Sequence, residues 1–130
     1  MSDRLCIETK GRKAVYVSDS DLLSCCGAFC GFGNFDCVTG LSSICFNLRC
    51  RGGSKTKGWL YFNSTGLCTG GAYGDKTCCK PYVFYPCKKY ENQPYYGPCP
   101  ENERWETPLC RKACQFKYRK NYEDDKIFAM

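Results

Sequence analysis

Two stretches of the chain repeat apolar residues at helical spacing, and a third has no period at all. In the first, Leu22 and Leu23 share a face with Cys26 at the i, i+3/i+4 spacing of a helix. Ser18 stands where an N-cap belongs, Asp21 completes a weak capping box three residues on, and Asp19 and Asp21 place negative charge at the positive end of the dipole. Gly27 is expected to end this helix, which puts Cys25 and Cys26 on its last turn and Cys30 in the following loop, close to Cys26. The second stretch, "SKTKGWLYFN", predicts a helix from Ser54 to Asn63 with Trp59, Phe62 and Leu60 inward. Gly58 weakens it by up to ~1 kcal/mol relative to alanine, and Gly66 stops it.

From Gly70 to Cys114 the periodicity vanishes. Gly, Pro, Tyr and Cys dominate, with prolines at 81, 86, 94, 98, 100 and 108. Proline at this density breaks helices and central strands alike. The result is one irregular excursion, far longer than the roughly 12–15 residues usual for an unstructured loop. Cysteines at 78, 79, 87, 99, 110 and 114 offer the cross-links that would order it.

Composition changes the picture through sulfur and imidazole. The chain holds 14 cysteines in 130 residues and no histidine. Three sulfurs in "SCCGAFC" can be thiolate metal ligands, disulfides, or include a nucleophile. A cysteine fraction this high in a small chain points to a disulfide framework made in an oxidising compartment. Zinc sites usually mix cysteine with histidine, so only all-thiolate sites remain open, and no metal or other cofactor is expected. Serine and cysteine nucleophiles are usually activated by an imidazole. None is present, so no Cys-His or Ser-His machine can be assembled from these residues.

The net charge of +6 comes from 19 Lys and Arg against 13 Asp and Glu. Basic and aromatic residues interleave in "RKACQFKYRKNY", a pattern seen on nucleic-acid faces. The mild pI fits a solvated basic surface better, and no nucleic-acid partner is expected. No apolar run approaches the ~18 residues of a membrane span, so no membrane partner is expected either. "MSDRLCIETKGRK" lacks the apolar core of a secretory signal. That conflicts with the cysteine content, and the expectation is that either Met1 is not the true start or the chain is a piece of something longer. Asn63-Ser64-Thr65 forms an N-x-[ST] triplet, so Asn63 is a candidate glycan site in an exported chain.

The segments "SDRLCI", "VSDSDLLSCCGAFCGFG", "CRGG", "GLCTGGAYG", "CCKPYVFYPC" and "PLCRKAC", in this order, resemble the cathepsin B-like branch of the papain-type cysteine peptidases. The resemblance spans nearly the whole chain except residues 34–49. It implies an α+β papain-like fold present only as a left-lobe fragment: residues 1–130 as a partial peptidase domain, with short helices, long disulfide-braced loops and little sheet. It also implies the disulfides Cys26–Cys30, Cys25–Cys110, Cys79–Cys114 and Cys87–Cys99. The last closes a counterpart of the family's occluding loop (87–99) inside a disulfide-rich excursion (79–114). Closing that interval contributes roughly 3 kcal/mol by loop-closure arithmetic. Gly52 and Gly53 of "CRGG" fall where the family binds an extended substrate peptide through its backbone, and glycine lets two main chains approach closely. The implied partners are a peptide or protein substrate and the remainder of the peptidase domain. The implied location of the intact family member is secreted or lysosomal.

The sequence also departs from the family. No Gly-Ser-Cys-Trp nucleophile motif occurs, nothing matches the family's catalytic histidine and asparagine or its oxyanion-hole glutamine, and Lys89 and Tyr90 stand where the occluding-loop histidines belong. Residues 34–49 interrupt the place where Gly33 should run into Cys50, either as a loop insertion with its own Cys37–Cys45 bridge or as translated intervening sequence. Cys37, Cys45, Cys68 and Cys78 have no family partner, and Cys6 and Cys50 would bond to cysteines upstream. The expected function is that of a cathepsin B-like cysteine peptidase whose fragment lacks the catalytic residues and is inactive alone. The alternatives are a secreted, disulfide-rich, non-catalytic binding module derived from a peptidase, and an all-thiolate zinc protein.

Overall fold

The structure is a computed structural model that describes residues 1–31, 52–101 and 105–129. Residues 34–49, with Cys37 and Cys45, and also Cys50 lie outside these residues. Three helices are present among them: α1 (Ser2–Glu8), α2 (Asp19–Cys30) and α3 (Lys55–Ser64). Extended pairing among the described residues consists of isolated antiparallel bridges, Val17 with Thr69, Gly31 with Gly53, and Leu67 with Ile127.

The start of α2 follows from local chemistry. The Ser18 Oγ accepts from the Asp21 N–H at 3.1 Å and so satisfies one of the helix's unpaired donors. The other half of the capping box does not form, because the Ser18 N–H donates to the Cys68 carbonyl at 2.8 Å and the Asp21 carboxylate turns elsewhere. Gly27 kinks α2 instead of ending it. Its φ of 45° and ψ of −129° break the helical path, and the helix resumes to Cys30. A glycine, lacking Cβ, adopts this geometry at little steric cost.

Ser54 caps α3 through its Oγ and the Lys57 N–H at 3.4 Å. The helix runs one residue past Asn63, and both Thr65 and Gly66 donate to the Tyr61 carbonyl, with Gly66 at φ 76°. The inward face differs from expectation. Phe62 is 1% exposed, whereas Trp59 is 37% and Leu60 55% exposed. The buried residue one turn before Phe62 is Gly58, and a Cβ placed there would meet Met1 at 3.8 Å and Leu22 at 4.0 Å. The residue read as a weak point in α3 is thus its contact with α2 and the N-terminus. Trp59 lies beside that face, 6.1 Å from the Phe62 ring and 5.8 Å from the Arg4 guanidinium.

Two small cores result among the described residues. Val17, Phe62 and Leu67 form one, flanked by Met1, Leu22 and Ile127. Cys68, Cys79 and Tyr122 form the other, flanked by Cys114 and Tyr118. The strip Gly66–Gly70 links them and carries the segment leading into α2 on one side and the C-terminal segment on the other, through bonds of Gly70 with Tyr16, of Ser18 with Cys68 and of Leu67 with Ile127. No described helix is long and apolar enough to cross a membrane.

Candidate functional site

Asp21 is fully buried and holds the second core to α2. Its carboxylate accepts from the Lys80 Nζ at 2.6 Å, from the Tyr122 hydroxyl at 2.9 and 3.1 Å, and from the Cys68 N–H at 3.2 Å. The Lys80 ammonium also lies 4.5 Å from the Tyr122 ring centre. Four chain segments converge on one charge. Asp125 repeats the arrangement nearby, accepting from the Thr69 N–H and hydroxyl at 2.7 Å each and from the Tyr118 hydroxyl at 2.7 Å. The sequence pattern marks Asp21 as a capping-box partner and first-turn acid and carries no signal for this hub.

Disulfides fix the excursion that follows. Cys25 is bonded to Cys110, Cys26 to Cys30, Cys79 to Cys114 and Cys87 to Cys99, the same four pairs that the resemblance implies. Cys6, Cys68 and Cys78 carry free thiols. Burial pushes the Cys68 thiol far up, and the Asp21 charge pushes it further; burial and Asp75 push Cys78 up. An activated thiolate needs the opposite environment, so neither thiol is set up as a nucleophile.

Cys68, Cys79 and Asp125 bring ligand atoms within 4.8 Å of one another. The Cys79 sulfur is already bonded to Cys114, and the Asp125 carboxylate already accepts from Thr69 and Tyr118. That leaves one buried thiol, short of the four ligands of a structural zinc site.

Gly53 and Gly52 play different parts. The Ser54 N–H donates to the Cys30 carbonyl at 2.7 Å, and a Cβ on Gly53 would stand 2.6 Å from that same oxygen. The close main-chain approach that demands glycine at Gly53 is therefore to Cys30 of its own chain. Gly52 is exposed with φ 84°, a left-handed conformation that favours glycine. Asn63 is exposed near the end of α3.

The 87–99 loop borders an open groove of about 1100 Å³, lined among others by Tyr16, Tyr73, Tyr85, Tyr96, Trp105 and Lys88. Its rings meet edge-on: Tyr96 lies 5.0 Å from Tyr73, and Tyr85 4.9 Å from Trp105. Lys89 sits 5.6 Å from the Tyr95 ring, and Tyr90 is largely exposed and also borders the groove. Gly52 and Gly53 are not among its lining residues. The tyrosine-rich composition of 70–114 was the sequence signal for this surface, but periodicity could not locate it.

No protein-family model matches the chain. Among curated proteins, it is 38% identical over 129 residues to cathepsin B-like cysteine proteinase 6 of Caenorhabditis elegans, which covers 98% of the chain and 29% of that protein. It is 35% identical over 128 residues to cathepsin B-like cysteine proteinase 1 of Ostertagia ostertagi, covering 98% and 32% respectively. It is 38% identical over 130 residues to a gut-specific cysteine proteinase of C. elegans, covering 100% and 31%. The chain thus spans about three tenths of the length of these relatives.

Proposed function

The chain belongs to the cathepsin B-like branch of the papain-family cysteine peptidases, and from that premise we propose that it is the substrate-positioning part of a longer peptidase and does no chemistry alone. In the intact enzyme a thiolate attacks the peptide carbonyl, an imidazole moves the proton, and water releases the acyl-enzyme. This chain has no histidine to take the second role. What it supplies is a left-lobe frame: Gly52 at the edge of the cleft as a backbone partner for an extended peptide, Gly53 seated beside it, and the 87–99 loop as a wall. The Lys88 ammonium, on the groove side of that loop, offers a point charge to a peptide carboxylate.

One observation carries this reading. The irregular excursion is tied at Cys79–Cys114, at Cys87–Cys99 and back to α2 at Cys25–Cys110, so a segment with no α-helix or strand among its described residues is held as one fixed surface beside an aromatic groove. Disulfides of this kind fit a secreted or lysosomal setting, where the exposed Asn63 would be open to glycosylation.

The test uses the purified, oxidised 130-residue chain with a dipeptidyl fluorogenic substrate. No turnover is expected. Turnover suppressed by an epoxide inhibitor of thiol peptidases would overturn the proposal. The groove supports a second reading, a non-catalytic binding module, because aromatic-lined concavities with a few polar groups are common ligand sites. Fluorescence anisotropy with a labelled extended peptide separates the two. Tight binding by the chain alone favours the module; binding only after the remainder of the peptidase domain is added favours the positioning role.

A further inference from the structure

The 87–99 loop has a disulfide at its base, but a disulfide between Cys87 and Cys99 closes a ring without deciding where the ring lies. Tyr85, two residues before the loop, meets the loop's returning arm. The Tyr85 hydroxyl donates to the Pro98 carbonyl at 2.9 Å. Gly97, at φ 154°, lies flat against the same phenol: a Cβ there would stand 3.2 Å from the hydroxyl oxygen and 3.3 Å from Cζ. The next residue back, Tyr96, packs edge-on against Tyr73 at 5.0 Å and 77°, and Tyr73 in turn meets Tyr85 at 6.2 Å and 73°. On its other side Tyr85 abuts Trp105 at 4.9 Å and 85°. The returning arm 96–98 is thus pressed onto a tyrosine of the entering arm, and that tyrosine is buttressed by two further rings. None of the salt bridges among the described residues involves the loop.

We infer that Tyr85 is the positioning residue of the 87–99 loop, a latch of ring packing and one neutral hydrogen bond that holds the loop as a fixed wall over the groove. The smallness of residue 97 is part of the latch, because a Cβ there would crowd the phenol at 3.2–3.3 Å, in a backbone conformation that L side chains rarely adopt. A latch without ion pairs is not screened by salt, unlike one built from exposed charges. Its importance for substrate access rests on the reading of the loop as a cleft wall. The contact itself is tested without substrate, so its failure is distinguishable from failure of that reading.

The experiment is hydrogen exchange by mass spectrometry on the full, oxidised chain, following peptides that cover 86–101 and, as a reference, α3 and 65–70. Loss of one neutral hydrogen bond in Tyr85→Phe is expected to speed exchange in 86–101 by about two- to tenfold. Tyr85→Ala, which also removes the ring, is expected to speed it further, with the reference peptides unchanged in both variants. In the wild-type chain, protection of 86–101 is expected not to fall between low salt and 1 M NaCl. Gly97→Ala approaches the same contact from the opposite arm and should also open the loop, so the inference stays testable if Tyr85→Ala fails to fold. Unchanged loop exchange in both Tyr85→Phe and Gly97→Ala would overturn it. Equal acceleration across loop and reference peptides would also overturn it, as would loss of loop protection on adding salt.

Discussion

Removing the Asp21 carboxylate should come close to unfolding the protein. In Asp21→Ala, the Lys80 ammonium loses its partner at 2.6 Å, and the Tyr122 hydroxyl and the Cys68 N–H lose their acceptor inside the second core. Breaking a buried ion pair by deleting one partner costs about 3–5 kcal/mol. The Lys80 side chain is 13% exposed and can reach water in part, which favours the lower end of that range. One stranded buried donor adds about 1 kcal/mol or more, and the terms share one site, so they do not simply add. The expected loss is therefore about 4 kcal/mol, against a typical total of roughly 5–15 kcal/mol for a domain. Urea unfolding of the oxidised chain, followed by far-ultraviolet circular dichroism, measures it. Asp21→Asn, which keeps an acceptor but leaves the ammonium uncompensated, should lose less, and pairing it with Lys80→Met should recover part of that loss. A cost below about 1 kcal/mol for Asp21→Ala would refute the hub, since that is the scale of an ordinary exposed contact.

Other outcomes follow from the same cores. Stability should fall as pH rises past about 9, because Cys68 and Tyr122 have their pKa values raised in the folded chain, from 9.0 and 10.0, by burial and by the Asp21 charge. The unfolded chain then releases these protons first, so the stabilisation is complete below their unfolded values and is lost above them; urea titrations from pH 7 to 11 test the sign. Phe62→Ala should cost about 3–5 kcal/mol by the same measurement, as the largest fully buried side chain of the first core, whereas Leu60→Ala on the exposed side should stay within about 0.5 kcal/mol. Gly53→Ala should destabilise the junction of α2 and α3, read as faster exchange of the Ser54 amide, because its Cβ would stand 2.6 Å from the Cys30 carbonyl oxygen.

What the sequence disclosed and what it hid divide by distance along the chain. The Ser18 and Ser54 caps and the Gly66 stop rest on bonds spanning three to five residues, and such bonds are set by local residue type. Gly27 was legible as a break but not as a kink, because nothing local says whether the helix resumes. Trp59 was placed inward because a large apolar residue at helical spacing usually is; the contact instead went to Gly58, whose small size only matters once α2 lies against it. The Asp21 hub joins residues 47 to 101 positions apart, and no periodicity reports a convergence of that kind. Cysteine count and spacing alone left the pairing open, and the four bonded pairs became legible only through the family resemblance.

In the proposed role, sulfur braces a substrate-positioning surface. Mass spectrometry of a non-reduced digest, with free thiols alkylated beforehand under denaturing conditions, tests this most directly. It should return linked peptides for Cys25–Cys110, Cys26–Cys30, Cys79–Cys114 and Cys87–Cys99, with Cys6, Cys68 and Cys78 carrying the alkyl label. Alkylated Cys87 and Cys99, or Cys26 and Cys30 recovered unlinked, would contradict it.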